Sequence, residues 1–393
     1  MRATRYFLSI IVASIIACTM VAYRAAFVSN QPLVDARVDA TAIRNVLNLT
    51  EAFNLDHVGE IAYVTFHEGK VVRKSFIEDP KSPYGWYHGM AERFLADVAA
   101  SPHLMGFLGT AVIKTEDDAT LPPRAVSMLA SMGSPLLAHS IQKASRPGAI
   151  LIPDWHFIEH HGFRDLIRTV RKLGKPLRSR ERKVFWRGST TGFPCATPFV
   201  SPHSKSALSV CQERSCDSLH RIGAARSAKN VPWLDIKVAR TLMWCNDSDA
   251  QRLLSEGISV EENRNPGHQR HDEVSWIARR GLFEIDGFVN AWGHLWRLAS
   301  GSVVFKVDSG FTNAYLEQEV PGVHFIPLMS NLSDLADATK MIQEESSMPY
   351  LEKISRNANL LASAFTYEQE VDRVAKELRA SWIAHKDGKR HAA

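Results

Sequence analysis

Two stretches of this 393-residue chain hold residue types able to grip a phosphate. In Lys183-Val-Phe-Trp-Arg-Gly-Ser-Thr-Thr-Gly192 a short β-type run ends in Arg187 and opens into glycines and hydroxyls. Glycine lets a backbone approach closely, N–H groups and hydroxyls donate to phosphate oxygens, and a guanidinium pairs with phosphate through two parallel bonds. In the second stretch, Asp286 to Lys306, a strand ends at Asp286-Gly287, a helix carries Trp292 and Arg297, and Gly301-Ser302 turns into another strand ending near Lys306. Open α/β sheets bind ligands outside strand carboxyl ends, where helix N-termini also favour anions. Packing alone also accounts for these residues: a plain turn after Arg187, and Trp292, Trp296 and Leu298 as core with Gly301 as a helix stop. Neither stretch has the Walker spacing or G-x-G-x-x-G, which disfavours an NTPase or a dinucleotide enzyme.

A third constellation is His156-Phe-Ile-Glu159-His160, the H-x-x-E-H order in which two histidines one turn apart bind zinc and the glutamate acts as base. That chemistry needs a continuous helix, and Pro153 and Gly162 bracket the segment tightly. His156 and His160 therefore read as cleft residues that touch an acceptor, with a zinc hydrolase as the weaker alternative.

The elements that position these residues alternate between strand and helix, which argues for α/β layers. Ile61–Phe66 and Lys70–Ile77 flank a turn and predict a β-hairpin. Apolar runs at Ala125–Ala130 and Ala149–Ile152 continue the series, Val126 to Pro135 being read as a strand. Phe163–Leu173 has helical spacing, stopped by Gly174 and Pro176. Leu282–Ile285, Ser302–Lys306 and Val323–Ile326 are short β-rich runs, and Asp334–Glu345, Tyr350–Ala362 and Glu368–Ile383 read as helices. Polar stretches at Phe193–Lys205 and Glu261–Asp272 do not resemble core.

Composition bounds the class. With 45% apolar and 23% charged residues, 22 Gly and 18 Pro, disordered, collagenous and coiled-coil readings are excluded. The length suggests two domains with a cleft between them. A net charge of +5 does not call for nucleic acid. Ten basic residues against Asp165 and Glu181 crowd Arg164–Arg187, either facing an anionic ligand or lying solvated on a helix. Tyr6–Tyr23 is 18 uncharged residues, long enough for a membrane-spanning signal anchor. The charges around it place the N-terminus in the cytosol and the body in a lumen or periplasm. Cys195, Cys211, Cys216 and Cys245 allow two disulfides in an oxidising compartment, and simple burial is the alternative. Sequons at Asn48, Asn246 and Asn331 fit a secretory protein in a eukaryotic host.

The W-R-G-S-x-T-G run, D-G-x-x-N-x-W and G-S-x-V-x-K occur in order with Gly148–Phe157, Trp233–Lys237 and Gly322–Leu328. As a set they resemble glycosyltransferase family 90, which includes capsule-associated xylosyltransferases, Rumi-like protein O-glucosyltransferases and bacterial lipopolysaccharide-modifying relatives. The resemblance covers about Leu121 to Ala380. It implies a GT-B-like α/β fold of two Rossmann-like domains with a cleft between them, behind an N-terminal transmembrane helix. The corresponding division is 1–28 cytosolic tip and anchor, 29–175 acceptor-side domain, 176–350 nucleotide-sugar domain, and 351–393 helices packing back across the lobes.

By the same resemblance the activity is inverting, metal-independent transfer of glucose or xylose from a UDP-sugar to a hydroxyl of a glycan, lipid-linked glycan or protein. No cofactor is implied. Arg187, Gly188, Ser189, Thr190 and Gly192 match the first donor motif, and Asp286, Gly287, Asn290, Trp292, Gly301, Ser302 and Lys306 the second. Inversion needs a base near the acceptor hydroxyl. Family members carry an Asp at the end of the strand here read as Val126–Pro135, but no acid stands near Gly133. Asp117 and Asp118 lie upstream, and Asp154 is the substitute candidate. A donor-binding member without catalysis is the alternative. The anchor would make the protein single-pass type II, in a Golgi or endoplasmic-reticulum membrane or a bacterial inner membrane.

Overall fold

The computed structural model describes residues 34–49, 61–75, 85–114, 121, 123–192, 215–241, 245–260, 273–287 and 290–392. The apolar run Tyr6–Tyr23, the stretches Phe193–Lys205 and Glu261–Asp272, Asp117, Asp118, Cys195 and Cys211 lie outside these residues. Among the described residues no helix is long and apolar enough to cross a membrane.

The first half builds a mixed sheet from β1 (Val34–Ala36), β2 (Ile61–His67), β3 (Lys70–Ser75), β4 (Phe107–Lys114), β5 (Leu136–Ala138) and, beyond β6 (Ser140–Gln142), β7 (Ala149–Leu151). The hairpin β2–β3 forms because Glu68 and Gly69 both take positive φ, 47° and 75°, the tight turn that matches strand twist. β4 is buried at every position and runs parallel to β5, which pairs parallel with β7. A parallel strand covered on both faces reads as one continuous apolar run, as Phe107–Ile113 does.

The segment read as a strand from Val126 is instead a helix, Pro123–Ser131. Ala125, Val126 and Leu129 form its buried stripe, and Pro123 occupies a first-turn position where a missing N–H costs nothing. The strand whose carboxyl end leads toward the acids of the sequence is therefore β4. It ends at Lys114, just before Glu116, Asp117 and Asp118.

The second half is a five-stranded, wholly parallel sheet. Its strands are β8 (Glu181–Ser189), β9 (Leu234–Arg240), β10 (Arg279–Glu284), β11 (Val303–Val307) and, beyond β12 (Phe311–Asn313), β13 (Ile326–Leu328). The order is β9-β8-β10-β11-β13. Counted from its own first strand this is 2-1-3-4-5, a doubly wound order whose switch point falls between β8 and β10. Trp186, Phe283 and Phe305 fill its interior.

Two features join the halves. β6 and β12 pair antiparallel, and Ser140 Oγ donates to the Thr312 carbonyl at 3.1 Å. The last helix, Tyr367–Ala392, returns to the first sheet, where Trp382 Nε1 donates to the Thr110 carbonyl at 2.9 Å. Gly109 makes room for that indole, since a Cβ there would stand 2.2 Å from it. The preceding helix, Met348–Ser363, stays with the second sheet through Ser355 Oγ to the Gly301 carbonyl, 2.8 Å.

The basic run from Arg164 is largely internal wiring. Arg164 pairs with Glu368, Arg178 with Glu352, Arg182 with Glu345 and Arg187 with Asp235, while Arg171 bonds Asn359. Three of these bonds, from Arg164, Arg171 and Arg178, strap the segment to the helices Met348–Ser363 and Tyr367–Ala392. One disulfide is described, Cys216–Cys245, closing a separation of 29 residues.

Candidate functional site

The loops after β8 and β10 meet at the switch point. After Ser189, Thr190 is fully buried and donates its N–H to the Arg240 carbonyl at 2.9 Å, and the chain turns through Thr191 and Gly192. Gly192 has φ +143°, and a Cβ on it would lie 3.2 Å from the Gly287 carbonyl oxygen. A Cβ on Gly287 would in turn lie 3.2 Å from Thr191 Oγ1. The second loop is closed by the Gly287 N–H donating to the Asn290 carbonyl, 3.0 Å. Ser189 and Thr191 share a hydroxyl–hydroxyl bond of 2.9 Å.

A residue that sequence reasoning did not single out holds the two loops together. Arg221, on the helix His220–Ala228, is buried with 9% exposure. Its Nη1 donates to the Ser189 carbonyl (3.1 Å) and Thr191 Oγ1 (2.7 Å), its Nε to the Asp286 carbonyl (3.1 Å) and its Nη2 to the Ile285 carbonyl (3.1 Å). All four partners are neutral oxygens, so none cancels the charge. Burial lowers the Arg221 pKa to about 10, which leaves it a cation at neutral pH. The sequence signal was there to read: an arginine amid Ile222, Gly223, Ala224 and Ala225, in a helix with almost no amphipathic stripe to place it at a surface.

Lys306 stands on the same carboxyl edge, its Nζ 3.5 Å from Asp286 Oδ1, while Asp286 Oδ2 accepts from Ser309. Burial disfavours the Lys306 ammonium, but Asp286, Glu284 and Glu319 outweigh it and raise its pKa. Behind this pair, Glu284 is fully buried between Arg297 and His294, and His294 Nε2 lies 2.6 Å from Glu319. Burial opposes ionisation of Glu284, yet Arg297 and His294 hold its pKa down at about 2. Burial likewise opposes the His294 cation, and Glu319 and Glu284 raise its pKa to about 9. Arg297 and His294 thus balance two glutamates, whereas Arg221 and Lys306 face the single carboxylate of Asp286.

A separate cleft of about 760 Å³ is lined by His156 and residues 159–161, by Phe163 and the first turns of the helix Arg164–Leu173, and by Trp292, Gly293 and Trp296; none of the switch-point residues named above lines it. The His156 and Trp292 rings touch across it, centroids 4.3 Å apart.

The predicted site residues thus separate into groups. Ser189, Thr190, Gly192, Asp286, Gly287, Asn290 and Lys306 gather at the switch point, and Trp292, His156 and His160 line the cleft. Gly188 precedes them in β8, its Cα facing the Trp186 ring, where a Cβ would lie 2.3 Å away. Arg187 is placed differently. Its guanidinium bonds Asp235 Oδ1 (2.7 Å), the Asp235 carbonyl (2.8 Å) and the Trp186 carbonyl (2.8 Å), so its hydrogen bonds run along the sheet and the cation bonded into the loops is Arg221. Gly301 and Ser302 are also displaced. They immediately precede β11, whereas Lys306 lies near its end, and a rise of about 3.3 Å per residue puts roughly 13 Å between Ser302 and Lys306. Ser302 Oγ instead accepts from Arg180 at 2.7 Å and donates to the Arg279 carbonyl at 2.8 Å.

Asp154 is a helix cap. Its Oδ1 accepts the Phe157 N–H at 2.9 Å, which starts the helix Trp155–Glu159. With 4% exposure, burial pushes its pKa up to about 6 against the pull of that bond. A carboxyl so enclosed is poorly placed to reach a substrate hydroxyl.

Residues 235–371 match the family profile described as Glycosyl transferase family 90. The match starts on β9 and contains the loop after β10, Trp292 and Lys306, while the loop after β8 and Arg221 precede it. No match is found among the curated proteins.

Proposed function

We propose, from the premise that the family 90 match at residues 235–371 makes this chain a glycosyltransferase, that it transfers glucose or xylose from a UDP-sugar to a hydroxyl with inversion at the anomeric carbon. The observation that carries the reading is the meeting of the β8 and β10 loops around Arg221. A pyrophosphate over Ser189–Gly192 and Asp286–Gly287 would lie beside the Ser189 and Thr191 hydroxyls and the buried Arg221 cation. As the glycosidic bond breaks, its electrons pass to the β-phosphate, and Arg221 with Lys306 stabilises the charge that develops there. These two cations take the part a divalent ion plays in other transferases.

In this reading the parallel second sheet is the donor half of a GT-B pair and the first sheet the acceptor half. Trp292 packs beside the donor, and His156 and His160 meet the acceptor glycan, lipid-linked glycan or protein. The acceptor hydroxyl attacks the anomeric carbon and gives its proton to a carboxylate. With the helix at Pro123–Ser131 recognised, the strand end that the resemblance points to is that of β4, so Asp117 or Asp118 takes the base role and Asp154 keeps its structural one. The Cys216–Cys245 bridge supports a body in an oxidising lumen or periplasm, behind an anchor at Tyr6–Tyr23.

Calorimetric titration of the full chain with UDP tests the donor half directly. Wild type should bind, and Arg221→Ala should weaken binding about tenfold or more, because it removes both the buried cation and the bonds that hold the two loops together. Absence of UDP binding to the folded wild-type protein contradicts the reading.

A further inference from the structure

In the proposed transfer the H-x-x-E-H segment makes and breaks no bond, and its geometry has a meaning of its own. The helix Trp155–Glu159 is only five residues, but the His160 N–H still bonds the His156 carbonyl at 3.0 Å, so the turn that relates the two histidines is intact. Their rings are nearly parallel, 15° apart, with centroids separated by 6.2 Å. Glu159 stands between them, its Oε2 at 3.7 Å from His156 Nδ1 and 3.6 Å from His160 Nε2. The ligand atoms of the three side chains lie within 4.8 Å of one another.

We propose that His156, Glu159 and His160 form a divalent transition-metal site on the wall of the cleft. Two neutral imidazoles and one carboxylate are a donor set suited to zinc, at bond lengths of about 2.0–2.2 Å, with a fourth position left for water or another ligand. Their side chains are 28%, 44% and 35% exposed, so none is locked in a packed core. The Trp292 ring rests on His156 and limits how far that imidazole can swing. The cleft supplies the open side that an exchangeable fourth ligand needs.

This is a binding site and not the zinc hydrolase that the sequence order suggests. In that chemistry the glutamate stays off the metal and serves as base, whereas Glu159 here lies between both imidazoles, where it is the third ligand. The site stands apart from the UDP loops, and its existence does not depend on the transfer reaction.

The test uses metal-stripped full-length protein and zinc alone, read by equilibrium dialysis with metal analysis and by thermal melting. One zinc per chain should bind, and zinc should raise the melting temperature of wild type, since a ligand of the native state stabilises it. His160→Ala and Glu159→Gln, both at half-exposed positions, should each weaken binding about tenfold or more and reduce the thermal shift. His156→Ala should do the same, while removing a contact to Trp292 as well. Cobalt substituted for zinc should give the visible absorption of a low-coordinate site in wild type and lose it in His160→Ala. Failure to bind zinc in the micromolar range, or equal binding by wild type and His160→Ala, overturns the proposal. Neither outcome bears on UDP binding, which is measured without zinc.

Discussion

A Cβ on Gly192 would stand 3.2 Å from the carbonyl oxygen of Gly287. The loops that end β8 and β10 are therefore in contact at the point where the sheet order reverses, and a side chain on Gly192 would press them apart by a few tenths of an ångström. Gly192 also has φ +143°, a conformation that L side chains rarely adopt. Gly192→Ala should lower UDP affinity about tenfold and destabilise the fold by about 1–3 kcal/mol, read by titration and by denaturant melts. Full affinity in the alanine variant would show that the loops need not touch.

Arg221 and Arg187 should separate function from stability. Arg221→Lys keeps a charge but loses the fork that spans four carbonyl and hydroxyl oxygens, so UDP affinity should fall, although less than in Arg221→Ala. Arg187→Ala should change the affinity of the folded protein less than tenfold while costing about 1–3 kcal/mol of stability, because a bonded partner, Asp235, is left behind. A larger loss of UDP binding from Arg187→Ala than from Arg221→Ala would reverse these assignments.

The choice of base is equally testable. Asp117→Asn or Asp118→Asn should depress transfer about 100-fold or more at unchanged UDP affinity, the size expected for a lost general base. Asp154→Asn should leave transfer within about tenfold, since asparagine also caps helices. Its effect belongs to stability. The pKa of Asp154 is raised in the folded state to about 6, so its contribution is fully present below the unfolded value of 3.8 and is lost as pH rises through 6. Melting temperatures should accordingly shift in favour of Asp154→Asn between pH 4 and 7, and no relative shift would contradict that burial argument.

His294 sets an alkaline limit. Its folded pKa of about 9 lies above the ordinary imidazole value of 6.5, so the stability it confers is complete below 6.5 and disappears as pH rises through 9. The loss amounts to at most about 3 kcal/mol. Denaturant melts of wild type from pH 6.5 to 9.5 should show this decline, and Glu319→Gln, which removes one of the two anions that favour the imidazolium, should flatten it.

Part of the candidate site is legible in the sequence because its signals are local. Glycine and hydroxyl residues after an apolar run mark Ser189–Gly192, and Asp286-Gly287 marks the next strand end, without knowledge of their neighbours. What escaped depends on direction and distance. Gly301, Ser302 and Lys306 form one motif along the chain, yet a strand carries its first and last residues to opposite edges of the sheet. Arg187 resembles a phosphate ligand until Asp235 arrives from β9. Arg221 is remote from both loops in sequence, and its role exists only once a helix sets it between them. The run from Val126 reads as a strand because a short apolar run fits strand and helix alike, and the buried stripe of the helix Pro123–Ser131 shows only against the folded sheet.

The central claim is that the two loops and Arg221 bind the diphosphate of a UDP-sugar for transfer. The most direct measurement is release of UDP by the purified full chain from a panel of UDP-sugars that includes UDP-glucose and UDP-xylose, with Arg221→Ala in parallel. The account predicts turnover with one of these donors above a heat-inactivated control, reduced about tenfold or more in the variant. Turnover undiminished in folded Arg221→Ala, or none with any donor from a folded protein that also fails to bind UDP, would contradict it.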